Sequence, residues 1–265
     1  MTEAQLEGRI VATRDGPIFW IAFDSPRRMN ALTAAMWAEL PRAIAEAERD
    51  AEARIVVFRG AGAEAFSAGA DISEFETVRT GTQKARYDDL NHAAFNAVAD
   101  CSKPTIAMIN GFCLGGGLEI ALCCDLRLAS HGATFAIPSA KLGIGYDPRW
   151  IRPLLASVTP THAKEILFTG RRFSDREALA MGLVNRLHAP SELESATRSM
   201  AEEIAANAPL AIQAAKAAID ALADTAEGVD LTPVDALVRA CSESEDYAEG
   251  RAAFLEKRKP VFKGR

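Results

Sequence analysis

Glu119 is the only carboxylate between Thr105 and Cys124, a stretch reading Thr-Ile-Ala-Met-Ile-Asn-Gly-Phe-Cys-Leu-Gly-Gly-Gly-Leu-Glu-Ile-Ala-Leu-Cys-Cys. A lone carboxylate in an apolar run is costly to bury, so it finds a partner or its pKa rises. A raised pKa makes it a candidate general acid or base at neutral pH. Just before it, Gly115, Gly116 and Gly117 stand side by side. Adjacent glycines cost backbone entropy unless a close approach or unusual dihedral requires them. The first N–H groups of a helix opening there are bare, and they can hold a carbonyl oxygen as it becomes an oxyanion. The plainer reading is close packing before a buried helix, with a first-turn glutamate complementing the helix dipole.

The elements that must position these groups follow from periodicity and punctuation. Thr105 to Ile109 reads as a buried strand entered through Lys103-Pro104 and broken at Asn110-Gly111, with a helix over Leu118 to Cys124. The run is too interrupted for the ~20 apolar residues of a membrane span. Upstream, Arg9 to Thr13 and Ile18 to Phe23 predict strands joined by the turn Asp15-Gly16-Pro17. Thr33 caps a helix carrying Met36, Trp37, Leu40 and Ile44, which Pro41 should bend or break. Ile55 to Phe58 predicts a strand, Gly60 to Ile72 a loop of small residues, and Thr82 to Ala99 a helix. Leu126 to Ala129 and Thr134 to Ile137 predict short strands. From Pro148 the pattern is helical, over Thr161 to Phe168, Ser174 to Met181, Ser191 to Ala206, Pro209 to Ala223 and Glu243 to Lys257. Ser174 and Glu177 fit a capping box, and Gly182 a helix stop. This is an α/β pattern followed by helices.

The whole chain has 265 residues, a net charge of −6 and five cysteines without C-x-x-C spacing. The acidic balance disfavours nucleic acid and anionic membranes as partners. The cysteines suggest neither a disulfide framework nor a zinc site, and His92, His131, His162 and His188 show no ligand spacing. No metal and no cofactor are expected. The N-terminus lacks a signal pattern, so a reducing cytoplasmic setting is expected.

Several segments carry a resemblance: Arg-Met-Asn-Ala-Leu at 28 to 32, Ala-Phe-Ser-Ala-Gly-Ala-Asp-Ile at 65 to 72, the run from Lys103 to Glu119, Phe-Thr-Gly-Arg-Arg-Phe-Ser at 168 to 174, and the run from Glu249 to Pro260. In this order and spacing the chain resembles the crotonase superfamily, the enoyl-CoA hydratase/isomerase group, over nearly its full length. The resemblance implies a spiral core of ββα turns over residues 1–195 and a helical C-terminal trimerisation region over 196–265. It further implies a homotrimer or dimer of trimers acting on acyl-CoA thioesters, with coenzyme A as part of the substrate and not a separate cofactor. It places an oxyanion hole at the backbone N–H groups of Ala70 and Gly116. It lays the coenzyme A moiety along Arg28, Met29 and Ala31 and along Ala68, Asp71 and Ile72.

Glu119 matches the first of two catalytic glutamates of the group's hydratases. The second is absent: where hydratases have Gly-Gln-Pro-Glu, this chain has Ala136-Ile137-Pro138-Ser139. Ser139 is a substrate-pocket candidate but a poor acid–base group without an activating partner. Hydratases continue with Pro-Gly-Ala-Gly-Gly, and this chain with Gly143-Ile144-Gly145-Tyr146-Asp147-Pro148-Arg149-Trp150. Asp147 falls where related dehalogenases carry a nucleophilic aspartate, although those enzymes have Trp at the position of Ser139. Tyr146 matches a pocket tyrosine of methylmalonyl-CoA decarboxylases, whose pocket histidine is Ala70 here. Asp147 is thus a second carboxylate facing Glu119, an N-cap for a helix opened by Pro148, or both. Three functions compete: a hydratase or isomerase, a decarboxylase-like lyase, and a binding subunit that keeps the fold without the chemistry.

Overall fold

Strands β1 (Arg9–Asp15) and β2 (Ile18–Asp24) form the expected antiparallel hairpin, and Gly16 takes the positive φ of its turn. In this computed structural model residues 8–74, 83–223 and 232–265 are described. Helix α1 (Ala34–Arg49) starts at Thr33, whose side chain accepts the Met36 N–H. It runs through Pro41 without the break that was one of the two expected outcomes there. Trp37, Leu40, Ala43, Ile44 and Ala47 are buried on both sides of the proline, and that packing holds the turns its missing N–H weakens.

A unit then repeats. Strand β3 (Ile55–Gly60) is followed by short β4 (Ala65–Ser67) and helix α2 (Gln83–Ala99). Next come β5 (Thr105–Ile109), β6 (Phe112–Leu114) and α3 (Gly116–Cys123). Strand β7 (Leu126–Ser130), β8 (Thr134–Ala136) and α4 (Pro148–Ser157) follow. The first strand of each unit joins a large sheet and the second a small one. Helix α5 (Pro160–Thr169), β9 (Phe173–Ser174), α6 (Asp175–Met181) and β10 (Arg186–His188) close the two sheets. The orders are β1-β2-β3-β5-β7-β10 and β4-β6-β8-β9, parallel except for the pairs β1/β2 and β8/β9. This is the spiral of ββα turns. The expected loop over Gly60 to Ile72 therefore contains β4, and Thr82, the expected start of α2, lies outside the described residues.

Strand alternation sorts the core. Ile55, Val57, Ile106 and Met108 face one side of the large sheet, while Val56, Phe58, Ala107 and Ile109 face the other. Helix α7 (Leu193–Ala205) covers the first side with Leu193 and Ala201. The expected boundary at residue 195 therefore falls inside a helix that packs on the core. Two-sided burial explains why β5 reads as a continuous apolar run. Helices α8 (Pro209–Ala223), α9 (Thr232–Ser242) and α10 (Glu245–Glu256) complete the C-terminal part. Among the described residues, no helix is long and apolar enough to cross a membrane.

Candidate active site

The glycine triplet opens α3, and each glycine has its own reason. Gly115 precedes the helix with φ 51° and ψ −124°, and its N–H donates to Ala136 O at 2.8 Å, fastening the turn to β8. A Cβ on Gly116 would lie 3.0 Å from Cη2 of Trp37, so the α1 indole packs directly beneath it. A Cβ on Gly117 would lie 2.6 Å from the Cβ of Ser67 on β4. Gly116 is the first residue of α3, where an N–H has no partner inside the helix.

Ala70 reaches the same place from the other side. Leu32 N–H donates to Gly69 O at 2.7 Å and Asp71 N–H to Leu32 O at 3.0 Å, a parallel bridge centred on Ala70. In such a bridge the N–H of the central residue points away from its neighbour. A Cβ on Gly116 would stand 3.9 Å from Ala70 N, so the two amides are neighbours. Gly69 holds φ 90°, and a Cβ there would lie 2.7 Å from Leu114 O. The turn can approach α3 only without a side chain.

The expected coenzyme A loop is built around Asn30, the centre of the Arg-Met-Asn-Ala-Leu segment. Asn30, at φ 54°, donates from Nδ2 to Ala65 O at 2.7 Å and to Ala61 O at 3.0 Å, and its Oδ1 accepts the Ser25 N–H. Its own carbonyl accepts Ser67 Oγ at 2.8 Å. Met29 also has positive φ, is partly exposed, and accepts the Ala68 N–H, while buried Ala31 donates to Arg28 O. Arg28 pairs with Asp71, whose other oxygen accepts the Ser73 N–H and hydroxyl. Burial opposes ionisation of Asp71, but the Ser73 bonds and Arg28 outweigh it and hold its pKa low. Ile72 opens a short 3-10 turn, and its side chain lies outside what is described. A cleft of about 550 Å³ runs along Met29, Asn30, Ala61 and Ala65.

Glu119 lies one turn into α3, 1% exposed. Its Oε2 accepts the Tyr146 hydroxyl at 2.6 Å, while Oε1 is buried with no partner among the described residues. Burial pushes its pKa from 4.5 up to about 8, and the Tyr146 bond only partly counters this. Tyr146 is in turn pushed up by burial and by the neighbouring carboxylate. The two groups thus share one proton-bearing contact that favours the neutral phenol.

Asp147 is arranged differently from a second carboxylate around a shared cavity. It caps α4: Oδ1 accepts the Arg149 N–H at 2.9 Å, and the Arg149 guanidinium bonds both oxygens. These bonds hold Asp147 well below the usual carboxylate range. Tyr146, one residue earlier, takes the place beside Glu119. Ser139 is buried at the start of a 3-10 turn, with its carbonyl accepting the Ile144 N–H. Trp37, His92 and Trp150 also belong to the surroundings of the site. No spacing signal links His92 to α4, since that contact is made only in the fold. Among the described residues, no group of three His, Cys, Asp or Glu is placed to hold a metal ion.

Comparison with known proteins agrees with this geometry. The sequence profile of the enoyl-CoA hydratase/isomerase family matches residues 13–265. A short-chain-enoyl-CoA hydratase of Clostridium acetobutylicum is 35% identical, over 94% of this chain and 95% of its own. A carnitinyl-CoA dehydratase of Salmonella paratyphi A is 37% identical, over 96% and 97%. The crystal structure of an enoyl-CoA hydratase/carnithine racemase from Magnetospirillum magneticum superposes with a TM-score of 0.92, at 39% identity over 97% of this chain and 96% of that one. The ββα spiral, a profile match reaching almost end to end and this degree of identity have one explanation, which is that the chain belongs to the enoyl-CoA hydratase/isomerase family.

Proposed function

We propose that the chain is an acyl-CoA thioester enzyme in which Glu119 is the single acid–base carboxyl. The observation that carries this is the state of Glu119: one oxygen held by Tyr146, the other buried and unpartnered, and a pKa near 8. At neutral pH it carries a proton. The thioester oxygen sits between the N–H groups of Ala70 and Gly116, which stabilise the enolate as charge develops. Coenzyme A lies along Arg28 to Ala31 and Ala68 to Ile72. In hydration, Glu119 gives its proton to C2 while a water adds to C3, and the carboxylate recovers a proton from that water. The reverse sequence removes water from a 3-hydroxyacyl thioester and begins and ends with the same protonated carboxyl. The names of the hydratase and dehydratase relatives support this direction of chemistry.

A single carboxyl also suits a proton shuttle between C2 and C4, the isomerase reading, which starts from the carboxylate. Loss of enoyl absorbance from a short-chain enoyl-CoA is the primary assay. Glu119→Gln is expected to lower turnover at least ~10²-fold, the lower end for general acid–base catalysis. Wild-type turnover in that variant would remove Glu119 from the acid–base role, and no turnover by the wild type on any enoyl-CoA would return the protein to the binding-subunit reading. In the same proposal the protein is a homotrimer or dimer of trimers in the cytoplasm, its α10 side chains Phe254 and Leu255, 84% and 78% exposed, lying in a subunit contact.

A further inference from the structure

Trp150, His92 and Tyr146 form a connected set. Trp150 Nε1 donates to Nδ1 of His92 at 3.1 Å, so Nδ1 is an acceptor and a neutral His92 carries its proton on Nε2. That Nε2 is buried, makes no aligned hydrogen bond, and stands 3.4 Å from Oδ2 of Asp147. The imidazole and indole rings lie 5.1 Å apart and tilted. On its other side Trp150 meets Tyr146 edge-on, with centroids 5.5 Å apart. Tyr146 ends on Glu119. Phe95 of α2 closes the set, edge-on to both Trp150 and Trp37.

We infer that His92 is a positioning residue for the acid–base carboxyl: it fixes the indole of Trp150, which backs the Tyr146 ring and keeps the phenol on Glu119. This rests on the proposed role of Glu119. The groups facing the set are Asp147 and Arg149 on its own helix, Asp88 and Asp89 of α2 within electrostatic reach of Arg149, and Cys123 beside Glu119 on α3. Cys123 lies within electrostatic reach of both Glu119 and Tyr146, while the Trp150 ring packs against Tyr146 itself, so the aromatic path is a direct route to the contact. The Tyr146 bond is the one contact that favours ionised Glu119 against burial. Loosening Tyr146 therefore raises the pH at which Glu119 gives up its proton.

The experiment is the pH profile of kcat on a short-chain enoyl-CoA for purified wild type, His92→Leu, His92→Asn and Trp150→Phe. His92→Leu removes the acceptor for Trp150. Trp150→Phe keeps the ring and removes the donor, and so tests the same link if the leucine variant fails to fold. Both should lower kcat about tenfold with KM within twofold, and should move the limb near pH 8 upward by at least half a unit. His92→Asn, which keeps an acceptor where Nδ1 stood, should restore the wild-type limb. An unmoved limb in folded His92→Leu and Trp150→Phe, or a limb in His92→Asn as displaced as in His92→Leu, overturns the inference. Glu119→Gln, run in parallel, separates the two levels. Retained turnover there refutes the role of Glu119 itself. Lost turnover there with an unmoved limb in the other variants refutes only the role of His92.

Discussion

A carboxyl whose pKa rises from 4.5 to about 8 on folding holds its proton more tightly in the folded chain. Glu119 therefore favours the fold below pH 4.5, and that contribution drains away as pH rises toward 8, by about 1.4 kcal/mol per unit at most. Glu119→Gln removes the dependence. Its melting temperature relative to wild type should climb between pH 5 and pH 8, and a constant difference in thermal melts would deny the buried charge. In the proposed mechanism activity depends on the same proton. Hydration and dehydration should both fall as pH rises through about 8, whereas a shuttle starting from the carboxylate should gain over that range. Asp147 behaves differently because Arg149 keeps it ionised. Asp147→Asn retains a helix cap and should cost less than tenfold in kcat, while Asp147→Ala should lose about 1 kcal/mol of stability in denaturant titration. Glu119 was legible from its isolation in an apolar run. Tyr146 was named for the pocket through resemblance alone; its bond to Glu119 was not legible from the residues, because the two lie 27 positions apart and only the fold closes that distance.

At the scale of elements, α3 is held at both ends. Its start is pressed between Trp37 and Ser67, and its end meets the buried Arg127 guanidinium, which donates to Cys124 O and Leu183 O at 2.8 Å. Gly117→Ala drives a methyl group into the β4 backbone and should destabilise the fold by about 1–3 kcal/mol. Gly116→Val meets Trp37 and displaces the proposed oxyanion donor, so kcat should fall on the order of 10²-fold with circular dichroism retained. Unchanged kcat/KM would remove Gly116 from the site. The long strands and capped helices were readable because period and punctuation agree, as at Thr33 and at the capping box of Ser174 and Glu177. The three-residue strands β4, β6 and β8 were not all readable. Ala65–Ser67 and Phe112–Leu114 are too short to show a period and are strands only because the neighbouring turn of the spiral pairs with them.

For the whole molecule, the C-terminal helices leave apolar side chains uncovered, with Phe254, Leu255 and Val261 exposed beside a groove of about 420 Å³ lined by Tyr247 and Phe262. Patches of this kind mark contacts with other chains. The proposed trimer predicts that Phe254→Asp with Leu255→Asp lowers the assembly to a monomer in light scattering at micromolar concentration. A wild-type monomer under the same conditions would remove the trimer. The family segments spoke to substrate class and assembly through resemblance alone, since no periodicity encodes a partner.

Gly116 and Glu119 stand on the same short helix, one turn apart. In the proposed mechanism the donor that seats the thioester oxygen and the group that moves the proton are consequently graduations on a single rigid ruler, about 4.5 Å apart along its axis. Whatever tail a substrate carries, seating its oxygen presents its C2 at the same mark. Selection among tails is thereby separated from bond making. Across a series of enoyl chains KM should range widely while kcat stays within a few-fold, because no tail can alter a spacing set by three backbone steps.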